Sequence, residues 1–269
     1  MSNITVFSPN LVGAGGCDGP RGSYARIGWD TITRTAALTV SSERTGFPGE
    51  SLRNATTYDR WGPVSTPAWA QFDAGRAVDI DYVGIASHNL RSMGAEISIQ
   101  YSQDAITWAD AIVLTPSRDD ALLAWFEPVT ARYWRVHIAN GATPYIGVVY
   151  LGQILVMPRA VTGGHTPGTL SRATDIMPSK SDSGQFLGRS VIRQGFATTY
   201  HWENLPAQWY RDEFDRFVAA AVKYPFFLAG NPQRWPDEVL YAWTTKDMKP
   251  RYIRARDWME VDLPMEALA

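Results

Sequence analysis

The feature that most constrains this chain is a period of two. Across residues 35–157 apolar side chains alternate with polar ones over short runs, the spacing that lays one face of an extended strand on a core, and helical spacing is nearly absent. Ala95, Ile97, Ile99 and Tyr101 alternate with Glu96, Ser98 and Gln100, and Trp134, Val136 and Ile138 alternate with Tyr133, Arg135 and His137. Further runs at 69–74, 78–86, 122–126 and 147–156 are separated by Gly, Pro, Asn, Asp and Ser turns. A chain patterned this way is mainly β, and the regular alternation of strand and turn predicts a sandwich or jelly roll.

The pattern lapses between Met157 and Gly184 into Pro- and Gly-rich connecting segments, which predicts a boundary near Pro158 and two domains, residues 1–158 and 159–269. Strand signals return at 187–202. Tyr210, Phe214, Phe217, Val218, Ala221 and Val222 then recur at helical spacing, with Asn204 and Pro206 suited to a start and Tyr224-Pro225 to a stop. Val239, Tyr241 and Trp243, then Met259, Val261, Leu263 and Met265, alternate again. The second domain is therefore expected to be α+β, a small sheet or barrel carrying one helix.

At 269 residues the chain has room for two cores. A net charge of -2 gives no electrostatic reason to bind a phosphate backbone or an anionic membrane, so neither a nucleic-acid partner nor stable membrane insertion is expected. No run approaches the ~18 apolar residues of a membrane span, and Met1 to Thr5 carry no basic segment before an apolar core, so export by a standard signal is not expected either. The one cysteine, Cys17, lies in a Gly-rich turn with no partner base and reads as a loop residue.

Catalytic templates are missing: no phosphate loop, no His-Glu-x-x-His, no Gly-x-Ser-x-Gly. The carboxylate pairs Asp79/Asp81 and Asp119/Asp120 lack the apolar surroundings that would split their acidities for glycoside hydrolysis. The four histidines are scattered, no oxygen-rich calcium cage is legible, and the metal question stays open. The reading is of a protein that is not an enzyme and needs no cofactor.

Four strings in order carry a family resemblance: Trp69-Ala70-Gln71-Phe72-Asp73-Ala74-Gly75, Tyr101-Ser102-Gln103-Asp104-Ala105-Ile106-Thr107-Trp108, Ala131-Arg132-Tyr133-Trp134-Arg135-Val136, and Val149-Tyr150-Leu151-Gly152. They resemble the successive core motifs of the discoidin, or coagulation-factor 5/8 type C, family of galactose-binding-like jelly rolls. The resemblance implies a sandwich that binds sugars or anionic lipids through loops at one end, in many members with a structural calcium. Tyr58, Arg60, Trp61, His88, Asn89 and Arg91 are the expected rim residues, because they set aromatic faces beside planar donors.

A second resemblance spans most of the chain. The exit Met157-Pro158-Arg159, then Gly184-Gln185-Phe186-Leu187-Gly188-Arg189-Ser190, Trp209-Tyr210, Pro225-Phe226-Phe227-Leu228 and Tyr241-Ala242-Trp243-Thr244-Thr245, are similar to tail proteins of siphophages and prophages. The second domain is similar to the split-barrel domain of ring-forming distal-tail proteins. That resemblance implies a virion component at the tail tip, partnered by other tail proteins and by copies of itself in a ring, with host-surface glycan as a possible further partner. Arg189, Trp209, Phe226, Phe227 and Trp235 are the expected assembly residues, being of the kinds that dominate interface energetics. A dedicated receptor-binding protein and a cell-wall glycosidase with an accessory module are the rivals.

Overall fold

The computed structural model of the chain describes residues 23–253 and 256–268. Cys17 and the turn around it lie outside these described residues. The fold is mainly β, with fourteen strands, one α-helical segment and two short 3-10 helices among the described residues.

Six strands form the first sheet system, ordered β2-β3-β6-β4-β5 with β7 also paired to β3. Their ranges are β2 (Ala37–Val40), β3 (Ala68–His88), β4 (Ile97–Ser102), β5 (Ala109–Leu114), β6 (Leu122–Ile138) and β7 (Ile146–Gly152). The long pair β3 and β6 makes the sandwich. Ala68 to Asp73 pair with Tyr133 to Ile138, and Tyr82 to Ile85 pair with Leu122 to Trp125, with register breaks between Asp73 and Val78 and between Ile80 and Tyr82. At those breaks both strands bend from one layer into the other. Ala70 and Phe72 from one layer then share a core with Ile80, Val83 and Ile85 from the other, together with Trp134 and Leu151.

The second sheet is ordered β8-β1-β11-β12-β14-β10-β9, with β13 on β14. It contains β8 (Leu155–Val156), β9 (Arg172–Lys180), β10 (Phe186–Pro206), β11 (Phe226–Ala229), β12 (Val239–Thr244), β13 (Arg251–Tyr252) and β14 (Trp258–Ala267). It also contains β1 (Arg26–Gly28), which lies between β8 and β11. A single cut at 158 therefore misses how the sheets divide the chain. The sandwich is inserted between β1 and β8, both of which belong to the other sheet. Three-residue and two-residue strands are too short to show an alternation, so nothing in the pattern marks them.

The helical segment follows β10: α1 (Ala207–Trp209), a π turn (Tyr210–Phe214) and α2 (Asp215–Ala221). Its Phe214, Phe217 and Ala221 face Phe226, Leu228 and Trp202 of the sheet in a second core. Phe217 meets Phe226 edge-on, with ring centroids 5.0 Å apart.

A third cluster joins the halves. Tyr82, Trp125, Val148 and Tyr150 of the sandwich pack on Phe227, Val239 and Tyr241 of the second sheet. Tyr150 is edge-on to Phe227 at 5.3 Å, and its hydroxyl donates to Pro225 O at 3.0 Å. Tyr241 donates across the seam to Ala55 O at 2.7 Å. Gly84 permits the approach, since a Cβ there would sit 2.5 Å from the Phe227 ring. The halves are thus not separately packed bodies; each has a core, and a dry aromatic seam fuses them.

This seam corrects two of the expected assembly residues. On strand β11 neighbouring side chains point to opposite faces, so Phe226 enters the helix-side core and Phe227 the seam, and both are 0% exposed. Trp209 is partly buried against the second core. Arg189 and Trp235 remain exposed.

What is unpartnered lies elsewhere. Every residue of β9 is exposed, as is most of β10 up to Thr199, so the two form a ribbon that leaves the body of the protein. It carries Ile176, Met177, Phe186, Leu187, Val191 and Ile192 in water.

Candidate functional site

Four loops gather at one end of the sandwich: 41–67, 89–96, 115–121 and 139–145. Hydrogen bonds tie them to one another. Trp61 N donates to Ile146 O at 2.8 Å and Ile146 N returns a bond to Trp61 O at 2.9 Å. Thr66 Oγ1 donates to Gly141 O at 2.8 Å, and Ala142 N to Met93 O at 2.9 Å. Asp119 accepts from Arg91 N at 2.8 Å and Ser92 N at 3.2 Å, which holds the 115–121 loop against the 89–96 loop.

The expected rim residues separate into two groups. Trp61 is fully buried, and its indole Nε1 donates to Ser42 O at 3.0 Å, so it is an anchor beneath the loops and offers no face to a ligand. His88 is buried as well, and burial pushes its imidazole down to about 4. Asn89 Oδ1 accepts Tyr145 N at 2.7 Å and ties the 89–96 loop to the 139–145 loop. These three are structural, because each satisfies or packs loop backbone. Tyr58 and Arg91 are exposed, and Arg60 is half-buried.

Arg60 leads to a constellation that the sequence alone does not reveal. Its guanidinium lies 4.4 Å from the Tyr145 ring centre, and its Nε donates to Ser87 Oγ at 3.1 Å. Ser87 passes the chain on by donating to Thr57 O at 2.8 Å, and it sits at φ 53, a left-handed conformation that a non-glycine residue holds only at a cost. Tyr145 stacks on Phe47, with centroids 6.4 Å apart and planes 27° from parallel. Arg44 lies 4.2 Å from the Phe47 ring. Two half-exposed rings are thus bracketed by two guanidinium groups in the order Arg44, Phe47, Tyr145, Arg60. Gly62 makes room for the stack, since a Cβ there would lie 3.0 Å from the Arg44 guanidinium and 3.3 Å from Phe47.

In that order the faces of both rings are covered within the protein, so the array presents ring edges and the fixed planar donors of two guanidinium groups, which suit hydroxyl or carboxylate oxygens. The pairing of Arg60 with Tyr145 depends on Trp61, whose backbone bridge to Ile146 sets the two neighbours side by side. Phe47 and Tyr145 escape sequence reading because they are 98 positions apart and neither lies in an alternating run.

The carboxylate pairs have structural duties. Asp119 caps the 91–92 turn, Asp120 pairs with Arg118 at 2.7 Å, and Asp81 accepts Ile154 N at 2.7 Å beside the seam. Burial raises Asp81 to about 6, which corrects the expectation that this carboxylate lacks surroundings able to shift its acidity. Among the described residues, His201, Glu203 and Glu260 bring three ligand-type atoms within 4.8 Å of one another. Arg251 already bonds Glu260 at 2.9 Å and His201 Nδ1 meets Asp262 at 2.6 Å, so this charge is compensated within the sheet.

Comparison with known proteins places the sandwich. Residues 37–149 match the F5/8 type C domain family, and the first half of the chain therefore carries a discoidin-like domain. Solved structures to which the chain is similar include a carbohydrate-binding module of AlyQ in complex with 4,5-unsaturated mannuronic acid, 20% identical, covering 46% of this chain and 96% of that one, with a TM-score of 0.40. A chitosan-binding module of a chitosanase/glucanase from Paenibacillus sp. IK-5, bound to chitotriose, is 18% identical over 45% of this chain and 99% of that one, with a TM-score of 0.40. A pectin-binding module is 20% identical over 44% and 93%, with a TM-score of 0.38. No curated protein matches the sequence.

Proposed function

We propose that this chain is a non-enzymatic structural component of a bacteriophage tail tip whose discoidin-like sandwich binds host-surface glycan at its loop end. The observation that carries the glycan reading is the Arg44, Phe47, Tyr145, Arg60 stack, which lies on the end loops of the region that matches the F5/8 type C domain. Two guanidinium groups beside the rings favour a glycan that bears carboxylate or other anionic substituents. Binding of the full chain to an array of acidic and neutral bacterial glycans tests this, with Tyr145→Ala as the control.

The tail reading is favoured by the exposed β9–β10 ribbon. A two-stranded ribbon is marginal in water by itself, and this one leaves apolar side chains uncovered along an open edge. It also carries Arg172, Lys180, Arg189 and Arg193 against only Asp175 and Asp182, while the whole chain is net acidic. A ribbon of this charge fits the remainder of a neighbouring copy, which supports a ring of copies joined to other tail proteins in the virion. Sedimentation of the full chain against a variant with Ile192→Asp tests it. A monomer at every concentration, with glycan binding retained, would favour the dedicated receptor-binding protein instead. Release of sugar from cell walls would favour the glycosidase.

A further inference from the structure

A second concavity lies between the segment after β8, strand β10 and the turn that follows β11. It encloses about 160 Å3 and is walled in part by His165, Tyr200, Gly230, Asn231, Trp235 and Glu238. That is smaller than the roughly 300–1,000 Å3 of drug-sized sites, so it takes one ring and not a chain.

Tyr200 forms the floor. It is 2% exposed, and His165 meets its ring edge-on at 4.7 Å. Its hydroxyl accepts Gly168 N at 3.2 Å, which leaves the phenolic proton to be donated, and burial pushes the phenol up to about 12, so that proton stays on. Gly230 keeps the space open, since a Cβ there would stand 2.9 Å from the Tyr200 hydroxyl.

The walls supply both kinds of hydrogen-bonding group. His165 Nδ1 lies 3.0 Å from Thr162 O, and because a carbonyl can only accept, Nδ1 donates to it. Glu238 contributes a half-buried carboxylate. Asn231 also lines the concavity, and its Oδ1 accepts Arg234 N at 3.3 Å. At the mouth stands Trp235, 52% exposed, its backbone N held by Asn231 O at 2.8 Å. Exposed tryptophan on a braced turn supplies a stacking face at little entropic cost.

The mixture selects the ligand class. An anion would meet the Glu238 carboxylate, and an apolar molecule would desolvate that group further, leaving it only its Thr169 hydrogen bond and the nearby His165. A ring with several hydroxyls and an apolar face satisfies every group. We infer that this concavity binds a single neutral sugar residue, as a second site independent of the loop end of the sandwich. Trp235 then serves as a ligand wall and not as an assembly contact.

Saturation-transfer NMR and titration of the full chain with the methyl glycosides of glucose, galactose, mannose and N-acetylglucosamine tests the inference. At least one of them binds the wild type. Trp235→Ala and the isosteric Glu238→Gln each weaken that glycoside by about tenfold or more, the scale of a lost stacking face or charged hydrogen bond, with unchanged melting curves. Tyr145→Ala, which removes the loop-end stack, leaves it unchanged. Binding of none of the four overturns the inference, as does binding indifferent to both Trp235→Ala and Glu238→Gln, or abolished by Tyr145→Ala alone.

Discussion

The Arg60 guanidinium rests 4.4 Å from the centre of the Tyr145 ring, and the link between them is the backbone bridge of Trp61 to Ile146. The proposed recognition surface and the core therefore meet in adjacent residues: Arg60 is half-buried beside Tyr145, and Trp61 is fully buried. Removing Trp61 with Trp61→Ala vacates a fully buried indole and is expected to cost about 3–5 kcal/mol. Denaturant unfolding reads this directly. Arg60→Ala should leave the midpoint within about 0.5 kcal/mol while weakening any glycan bound at the loops. Equal destabilisation by both would show that Arg60 is a structural residue.

His88 makes the fold acid-sensitive. Its folded value of about 4 lies below the ordinary 6.5, because burial penalises the cation. Above pH 6.5 the ring is neutral in both folded and unfolded chains and contributes no slope. Between 6.5 and about 4 the unfolded chain takes up a proton that the folded chain refuses, so stability falls as pH falls, by up to about 3 kcal/mol at 1.36 kcal/mol per unit. His88→Gln should flatten that slope in unfolding measured from pH 7 to 4. An unchanged slope contradicts the assignment.

Asp81 works in the opposite direction. Burial raises its carboxyl from 3.8 to about 6, so the folded chain keeps a proton that the unfolded chain has released. The resulting stability is present below pH 3.8 relative to neutral pH and is lost as pH rises through 6, where the ionised group costs on the order of 1–3 kcal/mol. Asp81→Asn keeps the carbonyl that accepts Ile154 N and removes the charge. It should raise the melting temperature at pH 7.5 and leave it unchanged at pH 3.5.

Phe227 and Ile192 separate packing from assembly. Phe227→Ala opens a cavity in the aromatic seam and should destabilise the chain by about 3–5 kcal/mol, with no change in how its mass depends on concentration. Ile192→Asp lies on the exposed ribbon and should alter self-association while shifting stability by less than about 0.5 kcal/mol. The reverse pattern would place the contact surface at the aromatic seam and not on the ribbon.

Much of this fold is legible in the sequence because a half-buried strand advertises itself. Runs such as 95–101 and 133–138 appear as β4 and the end of β6, and the helical spacing from Tyr210 to Ala221 appears in the helix after β10. The four discoidin-like strings lie within or border on the matched family region. Pattern fails where burial is two-sided or a segment is short. Phe226-Phe227 reads as excess apolar surface, yet one ring enters each of two cores. Strand β1 leaves no period to detect. At the loop end, residue type without geometry misled: Trp61, His88 and Asn89 have the chemistry of sugar binding and spend it on packing and loop tethering, while Phe47 and Tyr145 face the solvent side from loops with no signal beyond a Gly46 turn and a Pro144-Tyr145 step.

The most direct test is titration of the full chain with an acidic bacterial glycan, beside the Tyr145→Ala and Arg60→Ala variants at equal thermal stability. Saturable binding in the wild type that weakens tenfold or more in each variant is the predicted result, the scale of a lost stacking or charged contact. Binding of equal strength in all three proteins, or no binding to any acidic or neutral glycan, would contradict recognition at this end of the sandwich.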